Sequence, residues 1–297
     1  MGGAVALMLV PVEMVFYNFI TPSEGFNFTL SSKLWMKKHW KPINSQGFRD
    51  VEHDPWSYAK KVFVVGDSFV AGHGIEDHRN RFADVLGRKL PSDWEVIIIA
   101  NNGWNTDEQY NALVSHPAKP DLIVLSYFIN DIEGAANQLG IPRPPLVKQP
   151  TWFIRHVINT SYALNYLYWR VYRFSGSQDM RRKYMDYLYQ AYDNLDVWTL
   201  HKAQLSKFIG YARRHKINLV TVIFPDLTDI AGSAAFTTKV ADYMKSRGVT
   251  VIDMAEKLAG REPSSLIVNS FNAHPNVALN REVGELLYQA AMLSRSF

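Results

Sequence analysis

Five short, nearly unbroken apolar runs restrict this chain to very few architectures. They are KVFVV (61–65), WEVIIIA (94–100), DLIVLSYF (121–128), INLVTVIF (217–224) and VTVIDM (249–254). A strand that is apolar on both faces must be covered on both, which points to a parallel sheet rather than a half-exposed antiparallel one. Between the runs the period changes. RNRFADVLGRKL (79–90) puts Phe82, Val85, Leu86 and Leu90 at helical spacing, and DEQYNALVSH follows Thr106, a helix N-cap candidate. AAFTTKVADYMKSRG separates the fourth and fifth runs, and VALNREVGELLYQAAML closes the chain. Strand–helix alternation with right-handed crossovers predicts an α/β fold: a doubly wound, flavodoxin-like, five-stranded parallel sheet sandwiched by helices. With 297 residues, 47% hydrophobic and 20% charged, the chain has the apolar content for such a core.

The rhythm lapses in two places. IPRPPLVKQP opens a segment at about 141–216 that predicts a helical insertion. Within it, WFIRHVINTSYALNYLYWRVYRF and the stretch from about Met180 to Lys216 read as long helices crowded with aromatic residues. Helix–helix packing in a lid or cap accounts for that density. A surface facing a membrane or partner protein is the alternative for 152–216. At the other lapse, residues 1–22 are apolar from Ala4 to Ile20 with interruptions at Pro11, Glu13 and Asn18. A spanning helix needs about 20 mostly apolar residues. No basic n-region or small-residue cleavage site marks a signal peptide. Residues 1–22 are therefore read as a membrane anchor, with a helix packed on the domain or on a partner as the alternative. Residues 23–60 form an aromatic-rich entry segment without a sustained period, and 61–297 form the α/β domain.

Several function classes fall away. The chain has no cysteine, so disulfides, thiolate metal sites and a Cys nucleophile are excluded together. The net charge of +4 includes basic clusters at Lys37–His39, Arg181–Lys183 and Arg213–Lys216. These read as solvated helix faces, because no nucleic-acid motif accompanies them, with a membrane-surface or anionic-polymer role as the alternative. His73 and His78 flank Asp77 but do not make a metal set, and no phosphate loop is present. The reading thus calls for no metal, no cofactor and no nucleic acid.

Ligands of doubly wound sheets bind beyond the carboxyl ends of the strands. The first three runs each enter a polar turn there: GDS (66–68), NNGWNT (101–106) and FIND (128–131). Taken alone, Ser68 in GDSFVAGHG fits either a nucleophile or ordinary turn chemistry. Gly66, Gly72 and Gly74 allow a tight turn, and Asp67 reads as a turn-stabilising residue. The neighbouring turns add donors: a backbone N–H at Gly103 and a side-chain amide at Asn130. With Ser68 itself they make three donors around one point, which is what a tetrahedral oxyanion requires. His274, in the NSFNAHPN loop just before the last helix, is the natural base for a hydroxyl that is a weak nucleophile at neutral pH. His73 lies close to Ser68 in sequence and either lines the pocket or faces solvent. Asp253 ends a strand and reads as a structural cap.

GDSFVAGHG, the Gly of GWNT, the Asn of FIND and the His of HPN resemble, in order and spacing, the SGNH (GDSL-type) hydrolases over about residues 45–130 and 217–297. NSQGFRD behind an apolar N-terminus is similar to membrane-anchored or exported bacterial members. The resemblance implies Ser68 as nucleophile and His274 as base, with the Ser68 N–H, the Gly103 N–H and the Asn130 side chain as oxyanion hole. It further implies an ester of a small molecule or polysaccharide as substrate, no metal or cofactor, and a membrane-associated, periplasmic or extracytoplasmic location. One departure stands out. Where the family carries an Asp two or three residues before the His, this chain has Asn272 and Phe271. Asn272 can accept a hydrogen bond and orient the imidazole, but it supplies no charge; Asp226 and Asp229 are the remote acids to consider. Two functions follow: a serine esterase or acyltransferase, or a catalytically weak SGNH-like domain serving as a glycan-binding or membrane-complex accessory subunit.

Overall fold

A computed structural model of the chain describes residues 2–57 and 59–294. Its contacts divide into two compact units, residues 41–142 with 190–297, and residues 1–40 with 143–189.

The first unit is the α/β sandwich. The five apolar runs form β1 (Lys60–Gly66), β2 (Trp94–Ala100), β3 (Leu122–Phe128), β4 (Asn218–Phe224) and β5 (Thr250–Asp253). All pairs are parallel, in the order β2-β1-β3-β4-β5. This is the flavodoxin-like order, with its switch point where β1 lies between β2 and β3. The sandwich helices are α3 (Ser68–Ala71), α4 (Phe82–Lys89), α5 (Thr106–Ser115), α6 (Glu133–Gln138), α9 (Leu195–His215), α10 (Ile230–Ser246), α11 (Met254–Lys257) and α12 (Val277–Ser294). α4 packs with α12 on one face, while α5 and α9 pack together on the other, where right-handed crossovers also place α10. Its core is largely apolar: Val62, Val64, Phe82, Val222 and Leu279 are fully enclosed. Asn105, rather than Thr106, caps α5. Its N–H donates to Glu108 Oε2 at 2.7 Å, and Thr106 is the first helical residue.

The second unit is helical, with α1 (Gly2–Asn18), α2 (Leu30–His39), α7 (Trp152–Ile158) and most of α8 (Tyr162–Asp193). α2 lies inside the entry segment, where no period was apparent. Its buried face consists of Ser31, Ser32 and Trp35, so no aliphatic stripe marks it. Glu13 on α1 accepts from the Tyr162 N–H at 2.7 Å and from the Ser161 hydroxyl, while Phe16 stands edge-on to Tyr166. The side chains of residues 4–9, which open the apolar N-terminal run, lie outside those described. Among the described residues, no helix is long and apolar enough to cross a membrane. The aromatic segment forms three helices rather than two, broken at Asn159–Ser161 and at Asn194, which caps α9.

Candidate active site

β1 delivers Ser68 to the sheet edge. Gly66 cannot carry a side chain, because its Cβ would stand 2.5 Å from Val70 Cγ2 and 3.0 Å from the Ser126 carbonyl oxygen. Asp67 caps the single turn of α3, accepting from the Phe69 N–H at 2.9 Å. The turn closes at Gly72 in the left-handed region (φ 73°). Behind it, the buried guanidinium of Arg49 donates to the carbonyls of Gly72 and Ile75 at 2.7 Å each, and to Ala71 at 3.2 Å. Burial and the adjacent Arg81 lower the Arg49 pKa to about 9. Asp50 extends this brace by accepting from the Ile98 N–H of β2 at 2.8 Å.

Register brings the other turns to the same edge. Gly66 stands opposite Ala100, and Val65 opposite Leu125. Ser68, Gly103 and Asn130 therefore all follow within three residues of the ends of adjacent parallel strands. Gly103 has φ 76°, and beyond its chain neighbours none of the described residues comes within 4 Å of where a Cβ would be. Asn130 lies in a 3₁₀ turn (Ile129–Ile132), and its buried Oδ1 has no hydrogen-bond partner among the described residues. Phe69 stacks on Phe128 with centroids 4.4 Å apart, knitting the Ser68 and Asn130 turns together. The Ile129 carbonyl is held by the Tyr192 hydroxyl at 3.0 Å, within a buried group that includes Tyr127 and His201.

His274 is not in a loop. It belongs to β7 (Asn272–Pro275), which pairs antiparallel with β6 (Ile267–Asn269) in a small second sheet. Asn280 of α12 anchors this hairpin. Its amide donates to the Pro275 carbonyl at 3.0 Å, while its oxygen accepts from the Phe82 N–H at 2.9 Å. The result sets His274 Nε2 2.8 Å from Ser68 Oγ, across 206 residues of sequence.

On the far side of the ring, His274 Nδ1 meets Asn272 Oδ1 at 2.5 Å. Asp226 and Asp229 are occupied elsewhere, in the turn before α10 and at its N-cap. Asn272 is fully buried, and its oxygen also accepts from the His274 backbone N–H at 3.2 Å. A backbone N–H only donates, so the amide oxygen, not the nitrogen, faces the imidazole. That orientation puts the ring proton on Nδ1 and leaves the Nε2 lone pair toward Ser68. Gly74 (φ 95°) makes room for this arrangement: a Cβ there would stand 2.7 Å from Asn272 Nδ2.

His73 is buried and stacks on His274, with centroids 4.7 Å apart and planes 27° from parallel. Enclosure of the His274 ring, followed by the proximity of His73, holds its pKa well below the usual histidine value. His274 is therefore a neutral acceptor at neutral pH. Burial raises Asp67 to about 7, and burial with the Asp67 charge raises Asp131 well above the carboxylate range. Asp253 caps α11 through the Ala255 N–H. Among the described residues, no group of three or more His, Asp or Glu side chains could hold a metal ion.

Residues 64–281 match the GDSL-like lipase/acylhydrolase family. The chain belongs to this family. Membership makes it a serine ester hydrolase. Among solved structures, an extracellular lipase from Streptomyces rimosus is similar, with 13% identity, a TM-score of 0.50 and coverage of 78% of this chain and 99% of that one. A carbohydrate acetylesterase family member from Sinorhizobium meliloti shares 16% identity at a TM-score of 0.44, covering 80% and 100%. Esterase EstA from Pseudoalteromonas sp. shares 12% at 0.46, covering 79% and 98%. Likeness at this level of identity reflects a shared fold. No curated protein matches the chain.

Sequence reasoning missed the Arg49 clamp, the Asn280 anchor and the stacking of His73. The signal for Arg49 was the NSQGFRD motif, which carried only a resemblance. Asn280 showed only as a polar residue on the apolar face of the last helix.

Proposed function

We propose that this GDSL-family enzyme is a serine esterase or acyltransferase working through an acyl-enzyme on Ser68. The observation that supports this best is the Ser68 Oγ–His274 Nε2–Nδ1–Asn272 Oδ1 chain, with contacts of 2.8 and 2.5 Å. His274 Nε2 takes the Ser68 proton as Oγ bonds to the ester carbonyl carbon. The resulting oxyanion is received by the Ser68 and Gly103 N–H groups and the Asn130 amide. The tetrahedral adduct collapses, the bond between the acyl carbon and the alcohol oxygen breaks, and the Nε2 proton passes to that leaving oxygen. Water, or the hydroxyl of an acceptor, then attacks the acyl-enzyme by the same route and restores Ser68. Asn272 serves as the positioning residue that keeps the imidazole in the required tautomer. The substrates proposed are acyl or acetyl esters of small molecules or polysaccharides.

The missing carboxylate favours one second reading, a weakly catalytic domain with a binding role. Aryl acetate turnover by the wild type, Ser68→Ala and His274→Ala separates the two. The enzyme reading requires wild-type hydrolysis that both substitutions abolish. Wild-type turnover no faster than that of Ser68→Ala leaves the binding reading.

A further inference from the structure

The helical unit, residues 1–40 and 143–189, has a surface unlike that of a folded core's exterior. α7 buries only Ile158, while Trp152 and Phe153 are 70% and 66% exposed and lie ring to ring with centroids 6.1 Å apart. Leu164, Leu167 and Val171, spaced three and four apart on one face of α8, are also exposed, and so are Met14 on α1 and Phe19 just beyond it. Apolar surface on this scale, spread over three helices, marks an interaction site rather than chance exposure.

The charge of the same unit says what it meets. Its residues hold eleven Lys and Arg against four Asp and Glu, whereas the rest of the chain holds twenty-one against twenty-four. Of its acids, Glu13 is turned inward onto Ser161 and Tyr162, and Glu24 is buried beside Arg170. Two residues after Phe153, Arg155 lines a cavity of about 380 Å³ together with Lys33, Phe28 and Trp169. Exposed Trp and Phe next to cations form an amphipathic edge, apolar at the tips and positive behind. Such an edge suits a membrane interface, where aromatic rings sit at headgroup level. A protein partner would not by itself account for an excess of seven positive charges confined to the unit that carries the apolar residues.

We propose that the helical unit docks peripherally on an anionic lipid bilayer, Trp152 and Phe153 entering the interface while Arg155 and Lys33 meet lipid phosphates. Neither the apolar side chains nor the cations suffice alone; membrane attachment of this kind is stable when two signals combine.

The test is co-sedimentation of the full chain with vesicles of phosphatidylcholine alone or with phosphatidylglycerol, at low and high salt. Binding is expected only to the phosphatidylglycerol vesicles, falling as salt rises. Trp152→Ala with Phe153→Ala should weaken partitioning roughly tenfold or more, and Arg155→Glu with Lys33→Glu by a similar factor. All four residues are exposed, so circular dichroism should show the variants folded. Equal binding to both vesicle types, no binding to either, or binding indifferent to the four substitutions would overturn the proposal. So would lipid-independent dimerisation that the Trp152/Phe153 variant abolishes. Hydrolysis of a soluble aryl ester, measured on the same samples, reports on Ser68 separately, so failure of docking and failure of the esterase reading are distinguishable.

Discussion

Asn272→Asp isolates the one element this site lacks. The substitution preserves the shape of the side chain and its acceptor oxygen 2.5 Å from His274 Nδ1, and adds a single negative charge. Two unit charges about 4 Å apart attract by about 4 kcal/mol at an effective dielectric near 20. The His274 ring is enclosed but the residue as a whole keeps some access to solvent, so water reduces the benefit to an imidazolium to about 2–3 kcal/mol, roughly 30- to 150-fold in kcat. The penalty in a serine protease whose triad Asp becomes Asn is larger, about 10⁴, because the amide there selects the wrong tautomer. Here the His274 backbone N–H fixes the amide oxygen toward the ring, so only the charge is missing. The assay is kcat and kcat/KM for an aryl acetate across pH. The acid limb adds a second readout. Burial and His73 hold the wild-type His274 pKa low, and an adjacent carboxylate raises it, so the limb of the variant moves to higher pH. A variant that is no faster than wild type, or whose acid limb stays in place, refutes the reasoning.

Three further outcomes follow from the same geometry. Gly74→Ala places a Cβ 2.7 Å from Asn272 Nδ2 at φ 95°; it should lower kcat by at least tenfold with little change in KM, and wild-type kinetics would contradict the packing argument. Arg49→Met leaves the carbonyls behind α3 without their donor and should cost about 3 kcal/mol, read as a lower midpoint in thermal denaturation; an unchanged midpoint would show that the clamp is dispensable. Asp67 has a folded-state pKa of about 7 against 3.8 unperturbed, so the folded chain holds a proton that the unfolded chain releases. The associated stability is complete at low pH and lost as pH rises through about 7. Relative to wild type, Asp67→Asn should therefore gain stability between pH 4 and 7 and level off above; a flat difference in denaturant midpoints would contradict a raised Asp67.

What was readable in the sequence tracks the range of the forces involved. β1 to β5 were legible within a residue or two because burial on both faces demands continuous apolar runs, and the order of the turns then placed Ser68, Gly103 and Asn130 on one edge. His274 was legible by residue type, but the short strand that carries it was not, since β6 and β7 are three and four residues long and polar. α2 was missed because a helix that buries serines and one tryptophan has no hydrophobic period. Arg49 and Asn280 act on backbone groups 22 to 26 and 198 residues away, contacts that leave no local pattern. The same holds for the orientation of the Asn272 amide, which depends on a single backbone N–H.

The central claim is that Ser68 is a nucleophile activated by His274. Fluorophosphonate labelling with the modified residue located by mass spectrometry tests it most directly. The account predicts stoichiometric modification of Ser68 in the wild type, none in Ser68→Ala, and a rate at least a hundredfold slower in His274→Ala. A folded wild-type protein that takes up no label, or takes it up at another residue, would contradict it.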